Sequence, residues 1–417
     1  MYKLSFVFPG QGSHYVGMCQ GIYDEYKIVR ETFEEASDVA GFDVKKLCFE
    51  GPLSTLSHTK ESHVSILTSG IAAFRVFMQE IGYVPQFCAG HSLGEYLALT
   101  SAGVFKFSDA IKLVEFRAEL AEQVTKETNG GMTIVENYKA LDLENECKKA
   151  QENGKKVYIS SYTTPNQTSI SGNVDDLMEI EEIILKNGGQ ITPLIGSAPY
   201  HSPLMSKYAE ELKHRIESIE IGELRYPVIS NVTGRPYKCI NDTANNLSMH
   251  LTNPVQWVKT VDFFDDRGIT LIIEMGPKNL ITNIIRNCNE NIKSICLSNK
   301  SERNEIFQLY KTNEMYSKHI PTLITKCLVA GVATPNKNWD NAAYQEGVVN
   351  PYNNIKNIQE KIESNESILN EDLEREALTC LKKIFETKML PKSEQQEWFS
   401  QILEESGEIY TFKDFLQ

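Results

Sequence analysis

The sequence predicts an α/β fold: a mainly parallel sheet, interrupted by a small inserted subdomain and followed by a helical extension. Three observations carry this. Short apolar strands alternate with loops and helical patterns over residues from about 1 to 125. Residues 131–196 run β-α-β-β-α-β, the order of a ferredoxin-like unit. From Pro351 the composition turns polar while large apolar residues keep helical spacing.

The elements follow in order. Leu4 to Phe8 reads as a buried strand, closed by the tight loop Gly10-Gln11-Gly12. Val64, Leu67, Ile71, Phe74 and Met78 have the spacing of a helix over 64–81. Pro85 to Ala89 is a short strand, and a helix begins at Glu95. In the insertion, Met132 to Val135, Val157 to Tyr162, Gln167 to Ser171 and Gln190 to Leu194 are strands. Leu141 to Asn153 and Val174 to Asn187 are its helices, the second stopped by Gly188-Gly189. Tyr226 to Ser230 and Ile269 to Glu274 return to buried strands, and Ile320 to Val329 reads as a last core helix. Beyond it, Ile355, Ile358 and Ile362, then Leu378, Leu381 and Phe385, mark two or three amphipathic helices. The expected division is 1–130 with 197–310 as core, 131–196 as small subdomain and 311–417 as extension.

Composition narrows the function classes. The 417 residues carry 42 Lys+Arg against 56 Asp+Glu, a net charge of −14, which argues against nucleic-acid or anionic-membrane binding. No apolar run approaches the roughly 18 residues of a membrane span, and the apolar start is too short for a signal peptide. The nine cysteines are scattered and form no C-x-x-C pair, so a reducing cytoplasm is expected. There is no phosphate loop of the G-x-x-x-x-G-K-[ST] type and no H-E-x-x-H. Gly10-Gln11-Gly12 fails as a dinucleotide fingerprint, because Tyr15 stands where its third glycine belongs. No metal site is expected, since His58 and His63 are five apart without a convincing acidic or thiol partner.

The chemistry concentrates at Gly90-His91-Ser92-Leu93-Gly94, a G-x-S-x-G between a strand and a helix. A serine in such a turn is pushed out of the sheet plane. The following helix aims its amide dipoles at the place where an oxyanion would form. A helix-capping serine in a glycine-rich turn is the plainer alternative. A nucleophilic serine needs a base. Of the eight histidines, His201 leads, in the loop-like Ser197-Ala198-Pro199-Tyr200-His201-Ser202-Pro203 where the chain leaves the small subdomain. His250 is next, His214 reads as a solvated helix face, and His319 as a surface residue.

Six segments together resemble the malonyl-CoA:acyl carrier protein acyltransferases of fatty acid and polyketide synthesis. They are Phe8-Pro9-Gly10-Gln11-Gly12-Ser13, Gly90-His91-Ser92-Leu93-Gly94-Glu95, Arg117, His201-Ser202-Pro203-Leu204-Met205, Asn253-Pro254-Val255-Gln256-Trp257 and Glu274-Met275-Gly276-Pro277. The resemblance covers roughly residues 1–300 and implies an α/β-hydrolase-like core with a ferredoxin-like insertion. It implies ping-pong transfer in which Ser92, deprotonated by His201, takes the acyl group from malonyl-CoA and passes it to a carrier's phosphopantetheine thiol. It implies an oxyanion hole from the Gln11 and Leu93 amides, Arg117 on the extender's free carboxylate, and a His250 carbonyl orienting His201. No metal or organic cofactor is implied.

Several positions depart from the family pattern. His14, His63 and His250 stand where glutamine is usual, and Pro199-Tyr200-His201 replaces Ala-Phe-His. A bulky Tyr200 disfavours an α-methyl branch. With His63, its hydroxyl could make the pocket polar enough for an amino- or hydroxy-substituted malonyl unit. Both residues, with His91, are candidate substrate contacts. Asn338-Trp339-Asp340-Asn341 and Gly347 to Tyr352 resemble extensions on free-standing acyltransferases that serve polyketide or hybrid synthase modules in trans. The expected form is a cytoplasmic monomer partnered by an acyl carrier protein. Two alternatives stay open: an acyl hydrolase that clears carrier proteins, against which Arg117 argues, and a tail that acts only as a docking module.

Overall fold

Strand β1, Leu4–Phe8, is buried along its whole length because all but one of its residues are apolar. The computed structural model describes residues 3–194, 196–311, 323–364, 366–367, 369–406, 408 and 411–416. It divides into two compact units, Tyr2–Phe307 and Gln308–Gln417.

Among the described residues nine further strands follow: β2 Phe87–Gly90, β3 Gly130–Glu136, β4 Val157–Thr164, β5 Gln167–Asn173, β6 Gln190–Leu194, β7 Val228–Ser230, β8 Arg235–Pro236, β9 Leu271–Glu274 and β10 Lys293–Cys296. The main sheet has the order β10-β9-β1-β2-β7-β8, so the first strand lies near its middle. Its pairs are parallel except for β8, a short antiparallel edge beside β7. One face is covered by a cluster that includes Val7, Ala89, Ile229, Trp257, Phe264, Ile272 and Ile281. Helix Gly94–Ser101 is buried at every residue, which suits its run of small and apolar side chains.

The second sheet is antiparallel, ordered β4-β5-β3-β6. Helices Ala140–Glu152 and Val174–Lys186 pack on it over Val135, Leu143, Cys147, Ile170, Leu177 and Ile184. It is linked by backbone bonds to the segment around Val255, whose neighbour Gln256 donates its N–H to the carbonyl of Asn231, just after β7, at 2.7 Å. Val255 N–H donates to the Ser160 carbonyl at 2.9 Å, and Tyr162 N–H donates to the Val255 carbonyl at 2.9 Å. The segment Asn253 to Trp257 thus joins the two sheets.

Several helices are missing from the element-by-element sequence reading. They include Lys27–Ala40, Phe107–Thr128, Thr243–Thr252 and Leu280–Cys288, whereas Ser206–Glu217 is the helix whose solvated face was expected to carry His214. Lys27–Ala40 and Leu280–Cys288 do carry an amphipathic pattern, burying Val29, Phe33, Ala36 and Ala40 in the first and Ile281 and Ile285 in the second. Helix Leu280–Cys288 is capped from a distance: the buried Glu274 carboxyl accepts the Ile281 and Thr282 amides at 3.0 and 2.8 Å.

In the C-terminal unit, helices Leu323–Ala333, Asn350–Glu363, Glu371–Thr387 and Lys392–Ser406 surround their own apolar cluster. Ile355, Ile358, Leu378, Leu381 and Phe385 are buried there, as their spacing predicts. The expected last core helix, 320–329, instead continues to Ala333 and stops before Pro335. Residues 320–322 and His319 lie outside the described residues. Among the described residues no helix is long and apolar enough to cross a membrane.

Candidate active site

Parallel strands end on one edge of a sheet, and their following loops meet there. Strands β9, β1, β2 and β7 are consecutive neighbours. Glu274, Phe8, Gly90 and Ser230 end them, so Gln11, Ser92 and Asn231 gather from distant parts of the chain.

Ser92 sits in the turn between β2 and helix Gly94–Ser101, with φ of 53°. A non-glycine residue there is strained. The flanking glycines are required by space. A Cβ at Gly90 would stand 1.8 Å from the Gly94 carbonyl oxygen, and one at Gly94 would stand 2.1 Å from that of Phe8. The turn is held from outside by Asn231, whose Oδ1 accepts the Ser92 amide at 2.8 Å. Its Nδ2 donates to the Gly90 carbonyl at 2.6 Å.

His201 also has a left-handed backbone, φ 60°. Its Nε2 lies 2.8 Å from Ser92 Oγ. Its Nδ1 lies 2.7 Å from the carbonyl oxygen of His250. A carbonyl only accepts, so Nδ1 carries the proton and Nε2 is the free base facing the serine. Burial first, then the positive charge of Arg117, push the His201 pKa down to about 3. The imidazole is therefore neutral at neutral pH.

Arg117 is buried on helix Phe107–Thr128. Its Nη2 lies 3.4 Å from Ser92 Oγ and its Nη1 lies 3.4 Å from His63 Nε2. Accepting from Arg117 leaves His63 Nδ1 to donate to the Val114 carbonyl at 3.4 Å. Burial, then Arg117, hold the His63 pKa well below the ordinary value. The guanidinium lies over the Tyr200 ring at 4.2 Å and beside that of Tyr96 at 5.7 Å. The neighbouring acid Glu115 pairs with Lys60 at 3.0 Å, not with Arg117. The Arg117 Nε and the Tyr200 hydroxyl are buried with no hydrogen-bond partner among the described residues.

His91 packs edge-on to Trp257, ring centres 5.3 Å apart, with Nε2 3.5 Å from Ser161 Oγ. Burial lowers its pKa to about 4. Gln11 lies in the loop after β1, which Ser13 pins by donating its hydroxyl to the Gly10 carbonyl at 2.8 Å. Leu93 immediately precedes helix Gly94–Ser101. Neither the Gln11 nor the Leu93 amide has an acceptor among the described residues.

The structure therefore brings Ser92, His201, Arg117, His63, Tyr200 and the His250 carbonyl together. Sequence reasoning missed Asn231, Glu95 and Tyr237. Glu95 follows the serine motif directly, and its Oε1 accepts the Tyr237 hydroxyl at 2.6 Å. Asn231 carried a positional signal, as the first residue after a buried parallel strand. Among the described residues no group of three His, Cys, Asp or Glu side chains is placed to hold a metal ion.

The acyl transferase domain family matches residues 5–334. The chain belongs to that family. A malonyl CoA-acyl carrier protein transacylase of Bacillus subtilis is 32% identical over 396 residues, covering 95% of this chain and 99% of the relative. One from Salmonella typhimurium is 36% identical over 291 residues, covering 69% of this chain and 93% of the relative. Among solved structures, a malonyl-transacylase in complex with a holo type II polyketide synthase acyl-carrier protein matches with a TM-score of 0.71 and 30% identity. That match covers 75% of this chain and 100% of that one. In this acyl transferase domain, every residue of the site from Gln11 to His250 falls inside the matched span.

Proposed function

We propose that the chain transfers a malonyl-type extender from coenzyme A to the phosphopantetheine thiol of an acyl carrier protein. One observation carries this most directly: a neutral Ser92–His201 pair at 2.8 Å with the Arg117 guanidinium 3.4 Å from the same hydroxyl. A serine–histidine pair handles acyl groups in general. A buried, planar cation beside it selects an acyl group that ends in a second carboxylate.

The steps follow from the geometry. His201 Nε2 takes the Ser92 proton as Oγ attacks the thioester carbonyl. The carbon–sulfur bond breaks, and the coenzyme A thiolate leaves with the proton from His201. The carrier thiol then gives its proton to His201 and attacks the malonyl ester. Ser92 recovers the proton as the ester bond breaks. In both halves the carbonyl oxygen becomes negative, and the Gln11 and Leu93 amides are assigned to it. The His250 carbonyl keeps His201 in the productive tautomer. His63, His91 and Tyr200 line the acyl side. The steps need no metal or organic cofactor.

On the same reading the core is α/β-hydrolase-like with a ferredoxin-like insertion, supported by the nucleophile turn after β2 and the β4-β5-β3-β6 order. The chain acts as a cytoplasmic monomer serving polyketide or hybrid synthase modules in trans. The Bacillus subtilis transacylase aligns over 95% of this chain, so the C-terminal unit is shared with a relative. A relative named polyketide biosynthesis protein PksE, from Bacillus subtilis strain 168, is 30% identical over 76% of this chain but only 39% of its own length.

The test is intact-mass spectrometry of enzyme, malonyl-CoA and a holo carrier protein. The expected products are malonyl-Ser92 and malonyl-carrier. Release of free malonate with no carrier adduct would make the chain a hydrolase.

A further inference from the structure

Glu95 is fully buried three residues after the nucleophile, yet no step above uses it. Its carboxyl reaches both halves of the catalytic pair. On one side, Oε2 accepts the Asn231 amide at 3.2 Å. The Asn231 side chain then holds the nucleophile turn at two points, the Ser92 amide and the Gly90 carbonyl. On the other side, Oε2 lies 3.4 Å from Nδ1 of the buried His250. His250 in turn accepts His201 Nδ1 on its carbonyl, and the two imidazole rings lie 4.8 Å apart at 31°. The Tyr237 hydroxyl fixes the second carboxyl oxygen at 2.6 Å.

We infer that Glu95 is a positioning residue that keeps Ser92 and His201 in register, through Asn231 on one side and His250 on the other. The inference rests on the Ser92–His201 reading above. Isolated buried carboxyls are costly, so one held by two hydrogen bonds and set against a third polar group has a structural reason to be there. Here the partners are the groups that set where the nucleophile and its base sit. Both of those carry strained backbones, so neither stays in place by local preference alone. The serine–base distance of 2.8 Å leaves little tolerance for a shift of either residue. Burial pushes the Glu95 pKa up to about 8 and holds His250 well below its ordinary value, so burial disfavours the charged form of each.

The experiment measures how fast a neutral fluorophosphonate labels Ser92 in the full chain, alongside malonyl transfer. In labelling, an oxygen–phosphorus bond forms at Oγ, fluoride leaves, and His201 takes the proton, so no natural substrate is needed. Glu95→Gln should lower the maximal labelling rate roughly 10- to 100-fold while the probe's half-saturating concentration stays within about twofold. His250→Gln keeps the carbonyl and removes the imidazole, and should cost less. In that background Glu95→Gln should cost less than it does alone, because one arm is already gone. If Glu95→Gln does not fold, Tyr237→Phe, which removes one hydrogen bond and leaves the carboxyl, should slow labelling about two- to fivefold. Unchanged labelling in these variants, or losses that simply multiply in the double variant, would overturn the inference. Normal labelling of Ser92 with no malonyl transfer would instead remove the proposed activity and leave the positioning role standing.

Discussion

The Arg117 guanidinium carbon lies 4.2 Å from the centre of the Tyr200 ring. Stacking of this kind fixes the plane of the guanidinium, and Nη2 then points to within 3.4 Å of Ser92 Oγ. Arg117→Ala should lower kcat/KM for malonyl-CoA roughly 100-fold and leave acetyl-CoA unaffected, since only malonate offers a carboxylate to pair. Arg117→Lys should recover little, because a point charge does not reproduce the planar fork. Initial rates with both donors check this. Equal losses on both would remove the carboxylate-binding role.

Tyr200 offers a way to sort extender units. Its buried hydroxyl has no partner among the described residues, and such a group costs about 1–3 kcal/mol. Tyr200→Phe should raise the melting temperature of the core unit. Malonyl transfer should stay within about threefold, as no hydrogen bond to the substrate is lost. A loss confined to hydroxy- or amino-substituted malonyl donors would identify the hydroxyl as their contact.

The pH dependence follows from His201. Burial, then Arg117, lower its pKa to about 3, so the base stays neutral far below the usual imidazole range. Labelling of Ser92 by a neutral fluorophosphonate should therefore be flat as pH falls from 7 to 5. Removing Arg117 removes a positive neighbour and leaves burial in place, so in Arg117→Ala the acid limb should move to higher pH. A wild-type profile falling with an apparent pKa near 6.5 would contradict the assignment.

In the C-terminal unit, Lys388 is buried with its Nζ against the end of helix Leu323–Ala333. It donates to the Gly331 and Thr334 carbonyls at 2.6 and 2.8 Å. A cation there satisfies terminal carbonyls and opposes the helix dipole. Lys388→Met keeps the bulk and should cost that unit about 1–3 kcal/mol. Hydrogen exchange over residues 323–333 should report the loosening. Unchanged protection would show that water replaces the ammonium without penalty.

Local signals were legible without a structure where a residue's role depends on its immediate neighbours. The strand–glycine–serine–glycine–helix pattern locates Ser92, because the turn's crowding is a property of five consecutive residues. Spacing alone found helices such as Glu371–Thr387, whose buried face is continuous. His201 was distinguishable from the other histidines only weakly, by its loop and by resemblance. What the fold decided is everything that depends on distant contacts. The tautomer of His201 is set by a carbonyl 49 residues away. Asn231 reaches the Ser92 amide across 139 residues. Glu95 adjoins the serine motif, yet its role depends on Asn231, Tyr237 and His250, which the strand order and the packing of helix Thr243–Thr252 bring to it. A linear sequence displays periodicity and turn chemistry directly; which strand ends share an edge is decided when the parallel sheet assembles around a buried first strand.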